Sequence, residues 1–148
     1  MQKHLRFLAG AVLAEAELEL EVVRDAKNQM ITVCFIENVD AMGVHTGDSY
    51  CTAPMLTISQ ELQDRLQEYS YRIVEAIKVI GGTNIQFAHD HKTGRVVVIE
   101  INPRTSRSSA LASKATGFPI ALVSSMLAGG LTMDEIPYWR DGTLEKYT

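Results

Sequence analysis

The chain predicts an α+β fold in which an antiparallel sheet carries helices packed on one face. Three observations point there. Two pairs of β-prone runs are each joined by a short polar turn, at 25–29 and at 90–94. A long stretch between the pairs spaces its apolar residues three and four apart, as on one helical face. Two shorter helical patterns follow, punctuated by glycine and proline, and such helices pack onto an antiparallel sheet.

Residues 4–14 read as an amphipathic helix with Leu5, Leu8, Val12 and Leu13 on one face. Lys3, His4 and Arg6 ahead of the apolar run 7–14 also imitate a secretory leader, but that run is at the short limit for one. Residues 18–24 alternate Leu with Glu before a Val pair and read as a strand, and 30–36 as its more apolar hairpin partner. Residues 38–50 lack periodicity, contain Gly43 and Gly47, and read as an ordered loop; 51–55 is a short extended piece around Pro54.

The strongest helix comes next. Thr57 or Ser59 caps it, with Thr57 and Gln60 in capping-box spacing. Leu62, Leu66, Tyr69, Ile73, Ile77 and Ile80 make its apolar face, and Gly81-Gly82 is its expected stop. Residues 84–88 and 95–101 form the second hairpin. A helix at 108–116 closes on Gly117, and Pro119 opens another to Leu127, closed by Gly129-Gly130. Thr132 caps a last turn. Residues 1–17 are a helix and lead-in, and 18–148 are the body of a single domain without repeats or an interdomain linker.

The length of 148 residues suffices for one core, and a net charge of −4 with no basic stripe argues against nucleic acid. No apolar run is long enough to span a membrane. Cys34 and Cys51 are too few for a disulfide framework and read as reduced thiols near the core, as in a cytoplasmic protein.

The most informative stretch is Val98-Ile99-Glu100-Ile101-Asn102-Pro103-Arg104. Glu100 and Asn102 are two apart and share a strand face, and Pro103 ends the strand. Their oxygens suit a hard cation such as Mg²⁺, and the Arg104 fork suits a phosphate or carboxylate. On spacing alone, a turn or cap signal is the commoner meaning of such a pair. Gln86, on the partner strand, comes near them if the faces match. In the loop 40–48, Gly43 permits close backbone approach and His45 offers acid, base or electrophile chemistry, although a surface histidine is the plainer reading. Glu17, with Glu15 and Glu19, reads as a solvated strand face. His4, His89 and His91 make no metal pattern and read as solvent-facing. Lys114 near a helix end suits the helix dipole. Arg104, Ser106, Arg107, Ser108 and Ser109 form a dense loop of phosphate-friendly residues.

Three blocks carry a resemblance: Glu-Asn-Val-Asp-Ala-Met-Gly-Val-His-Thr-Gly-Asp-Ser (37–49), Thr-Asn-Ile-Gln-Phe-Ala (83–88), and the run 98–121 from Val-Ile-Glu-Ile-Asn-Pro-Arg to Gly-Phe-Pro-Ile-Ala. They resemble the large chain of carbamoyl phosphate synthetase, in its amino-terminal ATP-grasp half, and Arg107-Ser108-Ser109-Ala110 favours that half. The resemblance runs from about Leu18 to Leu131. It implies an ATP-dependent ligase that phosphorylates bicarbonate to carboxyphosphate, which ammonia from glutamine converts to carbamate on the way to carbamoyl phosphate for arginine and pyrimidine supply.

Carried over by motif, the resemblance implies that Gln86, Glu100 and Asn102 hold Mg²⁺ or Mn²⁺. Glu100 would bridge metal and phosphates, and Arg104 would hold bicarbonate or the transferred phosphoryl group. Gly43, Val44 and His45 would line the nucleotide phosphates, with His45 near the reacting centre. Glu17 would contact the ribose or a monovalent cation, and Asn38, Asp40 and Ser49 resemble a potassium (K⁺) site.

The departures matter as well. The family's chain is many times longer, and this one matches only the carboxyl-terminal ATP-grasp subdomain. The segment before Leu18 departs from the family pattern, which weakens Glu17 relative to Glu100. The expectation is therefore a part of such a ligase, inactive alone, whose partners are the other ATP-grasp subdomain and the glutaminase small chain. Its unpaired apolar face would favour a homo-oligomer. The alternatives are a non-catalytic assembly module and another ATP-grasp carboxylase or ligase.

Overall fold

A computed structural model describes residues 16–40, 44 and 49–136. At its centre is a five-stranded antiparallel sheet of order β3-β2-β1-β4-β5. The strands are β1 (Ala16–Arg24), β2 (Met30–Asn38), β3 (Cys51–Thr52), β4 (Gly81–Asp90) and β5 (Arg95–Asn102). The helices are α1 (Gln60–Ile77), α2 (Arg107–Thr116) and α3 (Ile120–Ala128), followed by a 3-10 turn at Met133–Glu135. The α+β class, the antiparallel sheet and both hairpins are as expected from sequence. The helix expected at 4–14 lies outside the described residues.

Side-chain alternation divides the sheet into two faces. Leu18, Leu20 and Val22 of β1 join Ile85 and Phe87 of β4, and α1 covers them with Leu62, Leu66 and Val74. On the opposite face Val23 of β1 and Cys34 and Ile36 of β2 meet Ala112 of α2 and Ile120, Val123 and Leu127 of α3. The helices are thus shared between the faces, α1 on one and α2 with α3 on the other. The reason is the position of β1: a central strand has both faces to cover, and the carboxyl-terminal helices cover the one that α1 leaves open.

The ends of α1 differ in detail from the sequence pattern. Ser59 is its N-cap and accepts from Leu62 N at 3.3 Å. Thr57 instead donates its hydroxyl to Glu37, whose carboxylate also accepts from the backbone of Leu56 at 2.9 Å and of Thr57 at 3.0 Å. The helix stops at Lys78, which takes a left-handed conformation with φ 55°. Gly81 and Gly82 open β4, where α3 lies so close that a Cβ on Gly82 would stand 2.9 Å from Ser124 Oγ. The buried stripe of α1 is Leu62, Leu66, Ser70 and Val74, a step of four, while Ile77 and Ile80 are exposed. Ser70 tolerates burial because its hydroxyl donates to Leu66 O at 2.8 Å.

The other caps follow the sequence closely. Ser106 and Ser109 form a reciprocal capping box on α2, and Gly117 ends it with φ 79°. Pro119 stands one residue before α3, at the N-cap. Among the described residues, no single helix is long and apolar enough to cross a membrane.

Candidate active site

The face of β1 that carries alternate glutamates does not meet solvent. Glu17, Glu19 and Glu21 are 8%, 3% and 1% exposed. This overturns the reading of Glu17 and Glu19 as a solvated strand face, and the cause is again the central position of β1 with α2 lying over that face. Register then sets two polar rows across three strands. Glu19 pairs with Gln86 and Gln86 with Glu100; one pair further along, Glu21 pairs with Asn84 and Asn84 with Asn102.

A bulge is what brings β5 into these rows. Val96 and Val98 pack toward α1, and on a regular strand Glu100 would follow them to the apolar face. Between Gln86 and Phe87 the register slips: Phe87 faces Val98 while Gln86 faces Glu100, so Ile99 is the extra residue. The slip sends Ile101 to the α1 side and turns Glu100 and Asn102 to the polar side.

The rows floor a cleft of about 470 Å³ whose walls include Glu19, Asn38, Asn84, Gln86, Glu100, Asn102, Arg104 and Arg107. The structure thus brings together four residues singled out from sequence: Gln86, Glu100, Asn102 and Arg104. Gln86 is only 9% exposed, and among the described residues neither its amide nor the Glu100 carboxylate has a hydrogen-bond partner. The Gln86 amide faces the cleft with its hydrogen-bonding capacity unused by the described residues. The Arg104 guanidinium is exposed and makes only long contacts, 3.4 Å to Thr105 O and 3.5 Å to Asn102 Oδ1, leaving its fork available. Carboxylate and amide oxygens from neighbouring strands make a donor set that suits a hard divalent ion.

Behind this edge lies a network that sequence reasoning missed. Asn84 Nδ2 donates to Glu19 Oε2 at 2.8 Å and Glu21 Oε1 at 3.0 Å, and lies 3.1 Å from Ser108 Oγ. Ser108 and Ser109 donate to the two Glu21 oxygens at 2.6 and 2.8 Å. Asn38 Nδ2 donates to Glu19 Oε1 at 3.0 Å, and Asn38 Oδ1 accepts from Ser49 Oγ at 3.2 Å. Burial pushes the Glu21 carboxyl above its usual range, against the lowering effect of Ser108, Ser109 and Asn84. Burial, and next the charge of Glu19, likewise raise Glu17. The serines read from sequence as phosphate-friendly therefore serve Glu21, leaving Arg104 and Arg107 as the charged side chains of that loop at the cleft. The signal for Asn84 was its place two residues before Gln86 on the same strand face.

The remaining candidates are dispersed. Glu17 is buried but does not line the cleft. Val44 is 41% exposed, and Gly43 and His45 lie outside the described residues. Asp40 accepts from the backbone of Tyr50, while Asn38 accepts from Ser49. His91 is exposed as expected, but His89 is buried because its strand position turns it toward α1. The Cys34 thiol is buried and pushed up to about 11 by that burial, as a core cysteine would be.

Comparison with known proteins agrees with this geometry. Residues 6–136 match the family model for the carbamoyl-phosphate synthase L chain, ATP binding domain. The carbamoyl phosphate synthase large chain of Thermotoga neapolitana is 53% identical over 140 residues, 94% of this chain and 13% of that protein. The large chain of Xylella fastidiosa is 58% identical over 134 residues, 90% of this chain and 12% of that protein. The chain therefore spans about an eighth of the length of these relatives. Among solved structures, a complete multifunctional pyruvate carboxylase from Rhizobium etli superimposes with a TM-score of 0.72 at 20% identity, over 88% of this chain and 13% of that one. The fold is shared with part of that carboxylase, and the chain belongs to the family of the carbamoyl-phosphate synthase L chain, ATP binding domain.

Proposed function

We propose that this chain forms the metal-binding half of an ATP site in a ligase that phosphorylates bicarbonate, giving the carboxyphosphate that ammonia turns into carbamate and a second phosphorylation into carbamoyl phosphate. The observation that carries the reading is the row Gln86–Glu100 beside Asn102 and Arg104 in one cleft, with no hydrogen bond from the described residues to the Gln86 amide or the Glu100 carboxylate. Gln86, Glu100 and Asn102 would hold Mg²⁺ or Mn²⁺, which neutralises phosphate charge when bound. Glu100 would supply an anionic oxygen to that ion, and Gln86 and Asn102 neutral amide oxygens. Arg104, unrestrained by close contacts, clamps bicarbonate or the transferred phosphoryl group. By family resemblance, Gly43, Val44 and His45 would line the nucleotide phosphates, Glu17 would contact the ribose or a monovalent cation, and Asn38, Asp40 and Ser49 would hold K⁺.

The exposed apolar side chains Val39, Tyr50 and Leu56 fit contact with the other ATP-grasp subdomain, with the glutaminase small chain placed beyond it. On the chain alone, the same surface would drive self-association, seen by light scattering as a species larger than a monomer. The cytoplasm is the compartment that supplies these substrates.

Calorimetric titration with Mg·ATP tests the reading. The expected result is binding by the chain that is lost in Glu100→Ala. Equal heats from both proteins, or none from either, would overturn it.

A further inference from the structure

Glu21 is the most deeply buried charged group in the site, yet it does not line the cleft. Its oxygens accept from four side chains: Asn84 at 3.0 Å, Ser108 at 2.6 Å, Ser109 at 2.8 Å and Ser106 at 3.4 Å. Among the described residues, no ion pair reaches Glu21 or its neighbour Glu19. Two carboxylates two residues apart on one strand face, both out of water, are a poor choice for stability. Apolar residues in their place would cost nothing to desolvate.

What the arrangement does accomplish is geometric. Through the Asn84 amide, Glu21 is linked to Glu19, whose carboxylate lies in the cleft wall beside Gln86. Through Ser106, Ser108 and Ser109 it grips the first turn of α2, directly after Arg104 and including Arg107. One buried group is thus joined to both sides of the cleft: the β1–β4 floor and the β5–α2 turn.

We infer that Glu21 is a positioning residue that holds the Arg104–Arg107 turn and the Glu19 carboxylate in register with the Gln86–Glu100 edge. The inference rests on the proposed metal and nucleotide site. Partners behind a metal site that orient its ligands affect affinity strongly.

The test compares the whole chain with Glu21→Gln, which keeps size and removes charge, and with Ser108→Ala, which leaves the carboxylate and deletes the hydroxyl that joins it to Asn84 and Ser106. Two readouts are taken: hydrogen exchange at the backbone amides of 104–109, and affinity for Mn·ATP. Both variants are expected to exchange faster at 104–109 while β1 and α1 keep their protection, and to bind Mn·ATP about tenfold more weakly. Unchanged exchange in that turn overturns the inference, whether or not the chain binds nucleotide. So does unchanged affinity where Glu100→Ala has lost binding. If binding is absent from every protein, the metal-site reading has failed, and the exchange data still decide whether Glu21 holds the turn. A general loss of protection in both variants would mean that Glu21 only maintains the fold, and would also overturn the inference.

Discussion

Gln86 and Glu100 face one another across β4 and β5 at the step where the ladder slips by one residue. Because Ile99 is the residue left over, Glu100 points into the cleft and not toward α1. The site thus depends on an irregularity in the sheet, and bulges next to binding sites commonly re-aim a side chain in this way.

Gln86 lines the cleft without a hydrogen bond to the described residues, which separates its part in stability from its part in binding. Gln86→Leu should leave the melting temperature almost unchanged, because it breaks no hydrogen bond to them. The same variant should bind Mg·ATP more weakly. Thermal melts and calorimetry on one preparation check both, and a large loss of stability would contradict this account.

Asp25 and Asp134 illustrate how burial decides the worth of a carboxylate. Asp25 is fully buried and accepts from the backbone amides of Lys27 at 2.9 Å, Gln29 at 2.8 Å and Met133 at 3.0 Å. It ties the β1–β2 turn to the 3-10 turn far along the chain. Asp25→Ala is expected to cost about 3 kcal/mol or more, since hydrogen bonds to a charged group are worth about 1.5–3 kcal/mol each. Asp134 pairs with Lys27 at 3.0 Å in the open, where water screens the pair, and its removal should cost far less than that of Asp25. Urea unfolding of the two variants gives the comparison.

Lys78 holds a left-handed conformation with φ 55° at the end of α1. A side chain there carries a steric penalty of about 1–2 kcal/mol that glycine does not. Lys78→Gly should therefore stabilise the chain slightly, the gain being reduced by the larger freedom of glycine in the unfolded state. A lower melting temperature would show that the Lys78 side chain makes a contribution of its own.

His89 predicts a pH dependence. Its Nδ1 is buried without a partner, and its ring meets His91 edge to face with centroids 4.7 Å apart. Burial first, then the charges of His91 and Arg65, hold its pKa below 6.5, against the opposing pull of Asp90. The folded chain resists a proton that the unfolded chain accepts. The contribution to stability is therefore present above 6.5 and lost as pH falls through the folded value. Glu17 and Glu21 have the opposite sign, because their raised pKa values favour the folded chain at low pH and lose that contribution as pH rises above 4.5. Melting curves between pH 5 and pH 7 (about the range in which histidine titrates) for the chain and for His89→Gln separate the two. The variant should lose less stability on acidification.

Much of the molecule was legible in local patterns. Alternation and polar turns give the hairpins, and the spacing of Leu62 and Leu66 gives α1. Ser106, Gly117 and Pro119 mark the ends of the later helices, because caps and turns act over a few residues. The acid-x-amide pair before Pro103, with Arg104 after it and Gln86 on the partner strand, marked the edge of the cleft, and the family resemblance strengthened the expectation that this edge holds a metal.

What the sequence by itself determined is this set of elements, their family and the oxygen donors on β5. Only the tertiary structure decided which face those donors occupy and which glutamates are buried. Strand order places β1 between β2 and β4, so an alternation that looks like one wet face becomes a buried one. The slip at Gln86 decides the facing of Glu100, and the packing of α2 turns three serine hydroxyls onto Glu21. Each of these depends on contacts between residues far apart in the chain, and no local periodicity encodes such a contact.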